Sequence, residues 1–154
     1  MPTSQIFQDR FIDLVSDLDI KNKTEIASTM KLTYSTFSKI YNYGIFPTVP
    51  ILMRIADFFD ISVDYLIGNT EINNFIKADM PTTFQQRLFE LRKEQDIATV
   101  YKLADLIHIH RNNIAQWINN NSIPLLNDVE IIADYFKVSI DYLLGRTDDR
   151  TPYR

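Results

Sequence analysis

The sequence predicts an all-α protein whose architecture is laid down twice. Three observations carry this. Apolar residues recur at the three-to-four spacing of helices, and the period-two alternation of strands is absent. Cap and stop residues cut that pattern into short lengths. The chain also superposes on itself: shifted by 77 positions, residues 7–71 align with 84–148 without a gap, and 19 of the 65 pairs are identical. Chance at ordinary composition gives about three or four. Two copies of a short helical unit describe tandem domains, since a solenoid needs at least three repeats.

Each copy divides into five helices. In the first, residues 5–17 place Phe7, Phe11, Leu14 and Val15 on one stripe, which Leu18 continues just beyond. The second helix is expected over 24–30 and the third over 34–42, with Thr33 as its cap. Gly44 stops the third helix and Pro47 follows. The fourth runs over 49–58, capped by Thr48, with Pro50 tolerated in its first turn. The fifth starts at Ser62, with Asp64 in its first turn, and ends at Gly68. The second copy repeats these elements at 82–94, 99–107, 111–119, 126–136 and 140–144. The expected domains are therefore 1–71 and 84–148, joined by a linker at 72–83 and followed by a tail, 149–154; the polar stretch 146–154 should fray.

The densest information lies in residues 102–119, KLADLIHIHRNNIAQWIN, and in their counterpart 25–42, EIASTMKLTYSTFSKIYN. Leu103, Ala104 and Ile107 share one helical face, and Ile114 and Trp117 share another beyond the break at residues 108–110. Ala104 is small enough for a close crossing, and Ile109 can plug the turn. The second helix then presents Arg111, Asn112, Asn113 and Gln116 outward. Two helices at a steep angle, the second with hydrogen-bonding side chains on its free face, have the form that enters a DNA major groove. Arg111 suits guanine O6 and N7, and Asn112 or Gln116 suits adenine N6 and N7. Tyr34, Ser35 and Thr36 offer hydroxyls, Lys39 a phosphate or guanine contact. The amides near Thr24 and Thr99 suit a phosphate.

Composition sets bounds on partners. The net charge of −4 opposes phosphate binding as a whole-chain quantity. Its distribution is uneven: residues 21–43 carry Lys21, Lys23, Lys31 and Lys39 against Glu25, while 98–120 carry Lys102 and Arg111 against Asp105. A local positive surface is what meets DNA. The chain has no cysteine, which excludes disulfides and thiolate metal sites. No stretch has the length of a membrane helix, and the first residues lack a signal-peptide pattern. A soluble, cytoplasmic protein is expected. His108 and His110 are expected as turn residues and not metal ligands, Trp117 as core, and Asp64 and Asp141 as helix-starting residues and not catalytic acids. With no phosphate-cradling loop and no nucleophile–base pattern, no enzymatic activity and no cofactor are expected.

The paired segments, with Leu103-Ala104 and Ile26-Ala27, the prolines after the third helices, and the closing SVDYLIG (residues 62–68) and SIDYLLG (139–145), resemble the phage-repressor helix-turn-helix family, the Cro and lambda-repressor type also called XRE. The resemblance covers both copies. It implies two tandem five-helix lambda-repressor-like domains and a sequence-specific double-stranded DNA-binding regulator, most simply a repressor from a bacterium, prophage or mobile element, often a homodimer. Position by position, it carries the DNA contacts to Tyr34, Ser35, Thr36 and Lys39, and to Arg111, Asn112, Asn113 and Gln116. Caps fall on Thr33 and His110, and the phosphate-holding position at the start of the second helix on Lys23 and Val100; Thr99, through its helix-start amides, and Asn42 and Asn119 complete the candidate DNA-contacting residues. Domains that read adjacent half-sites sit one helical turn apart, about 34–36 Å, and the residues from 69 to 82 can extend about 45 Å.

The chain departs from the family pattern in three places. Lys31 and His108 stand where the turn favours glycine, at a cost of about 1 kcal/mol each. The loops NYGIFP (42–47) and NNNSIP (119–124) have no cation, and Val100 cannot hold a phosphate through its side chain. The acidic balance, the cation-free loops and the apolar NYGIFP favour an alternative: a protein-interaction module on the same scaffold, an antirepressor, inhibitor or assembly subunit with weak or no DNA binding, using Tyr43, Ile45 and Phe46 to meet a protein partner.

Overall fold

Helix starts in this chain are set by side chains that turn back onto the first helical amides. The computed structural model describes residues 2–153. Ser4, Asn22, Thr33, Ser62, Thr83, Thr99, His110 and Ser139 each accept from an amide two or three residues on. These are donors that no helical carbonyl reaches. The resulting order is α1 (Gln5–Ser16), α2 (Lys23–Thr29), α3 (Tyr34–Tyr43), α4 (Val49–Phe59), α5 (Val63–Ile67), α6 (Phe84–Glu94), α7 (Val100–Ile107), α8 (Arg111–Asn119), α9 (Leu126–Phe136) and α10 (Ile140–Leu143). There is no strand among the described residues; an isolated antiparallel bridge joins Thr3 to Ile45. Thr48, expected to cap the fourth helix, occupies the cap position without a side-chain bond, and Pro50 supplies the start instead.

The chain falls into two compact units that divide between Phe75 and Ile76. The core of the first is aromatic where α1 meets α3. Phe11 and Phe37 pack edge to face at 5.4 Å, and Phe7 stacks on Phe46 at 5.1 Å. Leu52, Ile55 and Leu66 close it from α4 and α5. In the second unit the corresponding positions are the aliphatic Leu88 and Ile114. The volume is restored by Trp117, which meets Phe84 edge to face at 6.0 Å.

An arginine ties the first helix to the last in both units. Arg10 lies 4.0 Å from the Tyr65 ring centre, donates to the Tyr65 carbonyl and, at 2.7 Å, to that of Thr70, and pairs with Glu71 at 2.9 Å. Seventy-seven residues on, Arg87 lies 4.1 Å from the Tyr142 ring centre, donates to the Thr147 carbonyl at 3.2 Å and pairs with Asp148 at 3.2 Å. A flat, permanently charged guanidinium can stack on a ring and satisfy carbonyls in its own plane.

Of the stretch after Gly145 expected to fray, residues 146–150 are held instead, and Arg154 lies outside the described residues. Arg146 and Thr147 are buried. The Ser139 amide donates to the Arg150 carbonyl at 2.9 Å, and Arg150 forms a two-point pair with Glu94, at 2.9 and 2.5 Å. Part of the expected linker is likewise bonded within the second unit: Ala78 donates to the Arg146 carbonyl, Thr82 to that of Gly145, and Thr147 Oγ1 to that of Ile76. Polar composition suggested solvent for the tail, but here its polar groups have partners. Gly145 makes the approach possible, with φ 78° and no side chain to run into the Thr82 carbonyl oxygen.

Candidate nucleic-acid interface

In the second unit, α7 and α8 meet through a turn of three residues. Leu103, Ala104 and Ile107 are buried on α7, and Ile114 and Trp117 on α8. His108 takes φ 59°, which reverses the chain, and the Ile109 amide then donates to the Ala104 carbonyl at 3.0 Å. Ile109 is buried and fills the angle between the helices. His110 caps α8 through Nδ1, which accepts from the Asn112 amide at 3.2 Å. In the neutral ring the proton is then on Nε2, the nitrogen left to donate. Gln85 of α6 fixes the far end, donating to the carbonyls of Trp117 at 3.1 Å and Ser122 at 2.9 Å. So held, α8 exposes Arg111, Asn112, Asn113, Gln116 and Asn119.

The first unit holds α2 and α3 the same way. Lys31 takes φ 60°, the Leu32 amide donates to the Ala27 carbonyl at 2.8 Å, and Leu32 is buried in the angle. Thr33 Oγ1 accepts from the Thr36 amide at 3.1 Å and bonds Thr36 Oγ1 at 3.0 Å. Gln8 donates to the Tyr41 carbonyl at 2.9 Å. Tyr34, Ser35 and Lys39 are exposed, Thr36 half-exposed, and the exposed Asn42 donates to Ser38 Oγ at 2.9 Å. A cavity of about 240 Å³ beside α3 brings Thr36 and Lys39 together with Ile45 and Phe46. Tyr43, beyond it, is exposed.

The charges are differently placed in the two units. Lys23 stands over Tyr41 with its ammonium 4.1 Å from the ring centre, a cation–π contact that positions it beside α3. Arg111 is engaged by Asp105 of α7 through Nε at 3.2 Å and Nη2 at 2.6 Å. Hydrogen bonding from Arg111 holds the Asp105 carboxyl below its usual range, against a smaller opposing effect of desolvation. Thr99 caps α7, accepting from the Lys102 amide at 3.1 Å.

Two residues escaped the sequence reading. Asn22 caps α2, its Oδ1 accepting from the Thr24 and Glu25 amides at 2.9 and 3.3 Å, so the amides expected to await a phosphate there are already bonded. The legible signal was Asn22 followed three residues later by Glu25 just before an apolar pair. In the sequence Asp105 registers as a charge, with nothing to pair it with Arg111. Its pairing with Arg111 spans the turn, and sequence spacing alone does not reveal which side chains meet there.

Comparison with known proteins agrees with this geometry. Residues 85–148 match the family model of a helix-turn-helix domain. An uncharacterized HTH-type transcriptional regulator of Bacillus subtilis, YobD, is 37% identical over 67 residues, which are 44% of this chain and 59% of that protein. The match thus spans somewhat over half the length of that relative. No solved structure gives a significant match. No helix among the described residues is long and apolar enough to cross a membrane.

Proposed function

We propose that this chain is a sequence-specific, double-stranded DNA-binding transcriptional regulator, acting in the simplest case as a repressor. Helices α3 and α8 enter major grooves. The carrying observation is α8, whose exposed row of Arg111, Asn112, Asn113 and Gln116 is held by a buried turn and by Gln85. The likeness of residues 85–148 to helix-turn-helix domains supports the same reading. The recurrence of the Arg10 contacts at Arg87 supports two tandem domains, 1–71 and 84–148.

In this reading Tyr34, Ser35, Thr36 and the α8 row read base edges. Lys23, Lys39 and His110 meet phosphates, Thr33 and Thr99 hold helix starts, and Asn42 and Asn119 border the backbone. The first unit supplies most of the phosphate attraction, because its lysines outnumber its acids near α3. The setting is the bacterial cytoplasm and nucleoid, in a prophage or mobile-element context, and the acting species is a homodimer.

A second reading, a protein-interaction module, is favoured by exposed Tyr43 next to half-buried Ile45 and Phe46. Fluorescence anisotropy of the full chain on random duplex at two salt concentrations separates the two, followed by selection of bound sequences from a random pool. Salt-sensitive binding and a recovered motif support the regulator. No binding at low salt sinks it.

A further inference from the structure

The geometry points to Asp105 as a positioning residue that fixes which edge of the Arg111 guanidinium meets a base. This rests on the DNA-reading role proposed for α8. A guanidinium has two edges able to make paired hydrogen bonds: the side edge of Nε and Nη2, and the end edge of Nη1 and Nη2. Asp105 occupies the side edge, taking Nε–H at 3.2 Å and one Nη2–H at 2.6 Å. The end edge keeps a proton on each nitrogen, the pattern that guanine O6 and N7 accept.

The same helix braces the side chain from a second point. Tyr101, one turn before Asp105 on α7, has its ring centre 5.8 Å from Arg111 Cζ. A long arginine that would otherwise give up rotamer freedom on binding DNA is thereby held before DNA arrives.

A plain surface ion pair is the competing account, since exposed pairs contribute little to stability and both side chains here are more than half exposed. That account leaves a cost unexplained. An acid beside a DNA-reading helix repels phosphate and cancels the charge of the arginine at the start of α8. In the first unit the acid and the arginine are both missing, with Ser28 and Tyr34 at the corresponding positions. An acid present where it weakens attraction, on the edge that leaves the other edge free, fits a gain in discrimination at the expense of general affinity.

The test uses full-length protein and the duplex recovered by selection. Arg111→Ala first identifies the base pair whose discrimination is lost. At that pair, Asp105→Asn is expected to reduce the guanine-over-adenine preference about 10-fold, within the range a two-point contact supplies. Affinity for random duplex should stay level or rise, and the melting temperature should not move. Asp105→Glu should restore part of the preference, and Asp105→Asn should add nothing in an Arg111→Ala background. An unchanged preference in Asp105→Asn overturns the proposal. So does tighter specific binding at undiminished preference, which would make Asp105 a competitor of the base, and so does an Arg111→Ala protein that discriminates like wild type. Failure of the wild-type chain to bind any duplex would remove the regulator reading itself, and the Asp105 role with it.

Discussion

Arg146 donates to Asp141 across a pair whose side chains are both almost wholly buried, and 77 residues earlier the same positions hold Asn69 donating to Asp64 at 2.8 Å. One unit thus answers a buried acid with a charge and the other with an amide. Both acids also begin a helix, α10 and α5, where the partial positive charge of the helix start favours a carboxylate.

Removing the arginine takes the charged partner away from a buried carboxylate. Arg146→Ala is expected to destabilise the second unit by about 3–5 kcal/mol. Arg146→Asn, which copies the amide of the first unit, should lose considerably less. Urea unfolding followed by Trp117 fluorescence measures this, since the chain has one tryptophan and it is buried in that unit. Equal losses in the two variants would mean that the amide solution does not transfer.

The turns before α3 and α8 hold non-glycine residues in the left-handed region, Lys31 at φ 60° and His108 at φ 59°. Neither side chain is buried. His108→Gly and Lys31→Gly should each relieve strain of about 1 kcal/mol, offset partly by the greater freedom of glycine in the unfolded chain. A net gain of a few tenths of a kcal/mol is expected in thermal melts, and Pro at either site should destabilise strongly because its φ is negative.

Glu94 is held below its ordinary range chiefly by the hydrogen bond from Arg150, against a smaller desolvation effect. A carboxyl whose folded pKa is depressed contributes stability above its unfolded value, near 4.3, and that contribution disappears as pH falls through the folded value. The pair is about half exposed, so the effect is small and screened by salt. Melting temperatures of wild type and Glu94→Gln should differ slightly but steadily above pH 5 and converge below pH 4 at low ionic strength.

Lys23 and Lys39 are placed to meet phosphate and not bases in the proposed complex. Lys23→Ala and Lys39→Ala should weaken binding to all duplexes alike and each reduce the slope of log affinity against log salt by about one. Sequence preference should persist. Lys23→Ala also loses the contact with Tyr41, so a melt of the free protein checks that the loss of affinity is not a loss of fold.

Helix order, turn placement and the central plugs were legible without coordinates, because each depends on neighbours a few residues away. The apolar spacing of Leu103, Ala104, Ile107, Ile114 and Trp117 already marks the two facing surfaces, and the caps Thr33 and Ser62 mark helix starts. The repeat likewise follows from the letters alone. Tertiary structure decided what those letters could not: that Arg111 faces Asp105 across the turn, that Lys23 rests on Tyr41, and that Arg146 is buried against Asp141 within a stretch of polar composition. The physical reason is range. Periodicity and capping are local properties of the backbone, whereas the partner of a long charged side chain is whichever group the packed helices bring within about 3 Å of its tip.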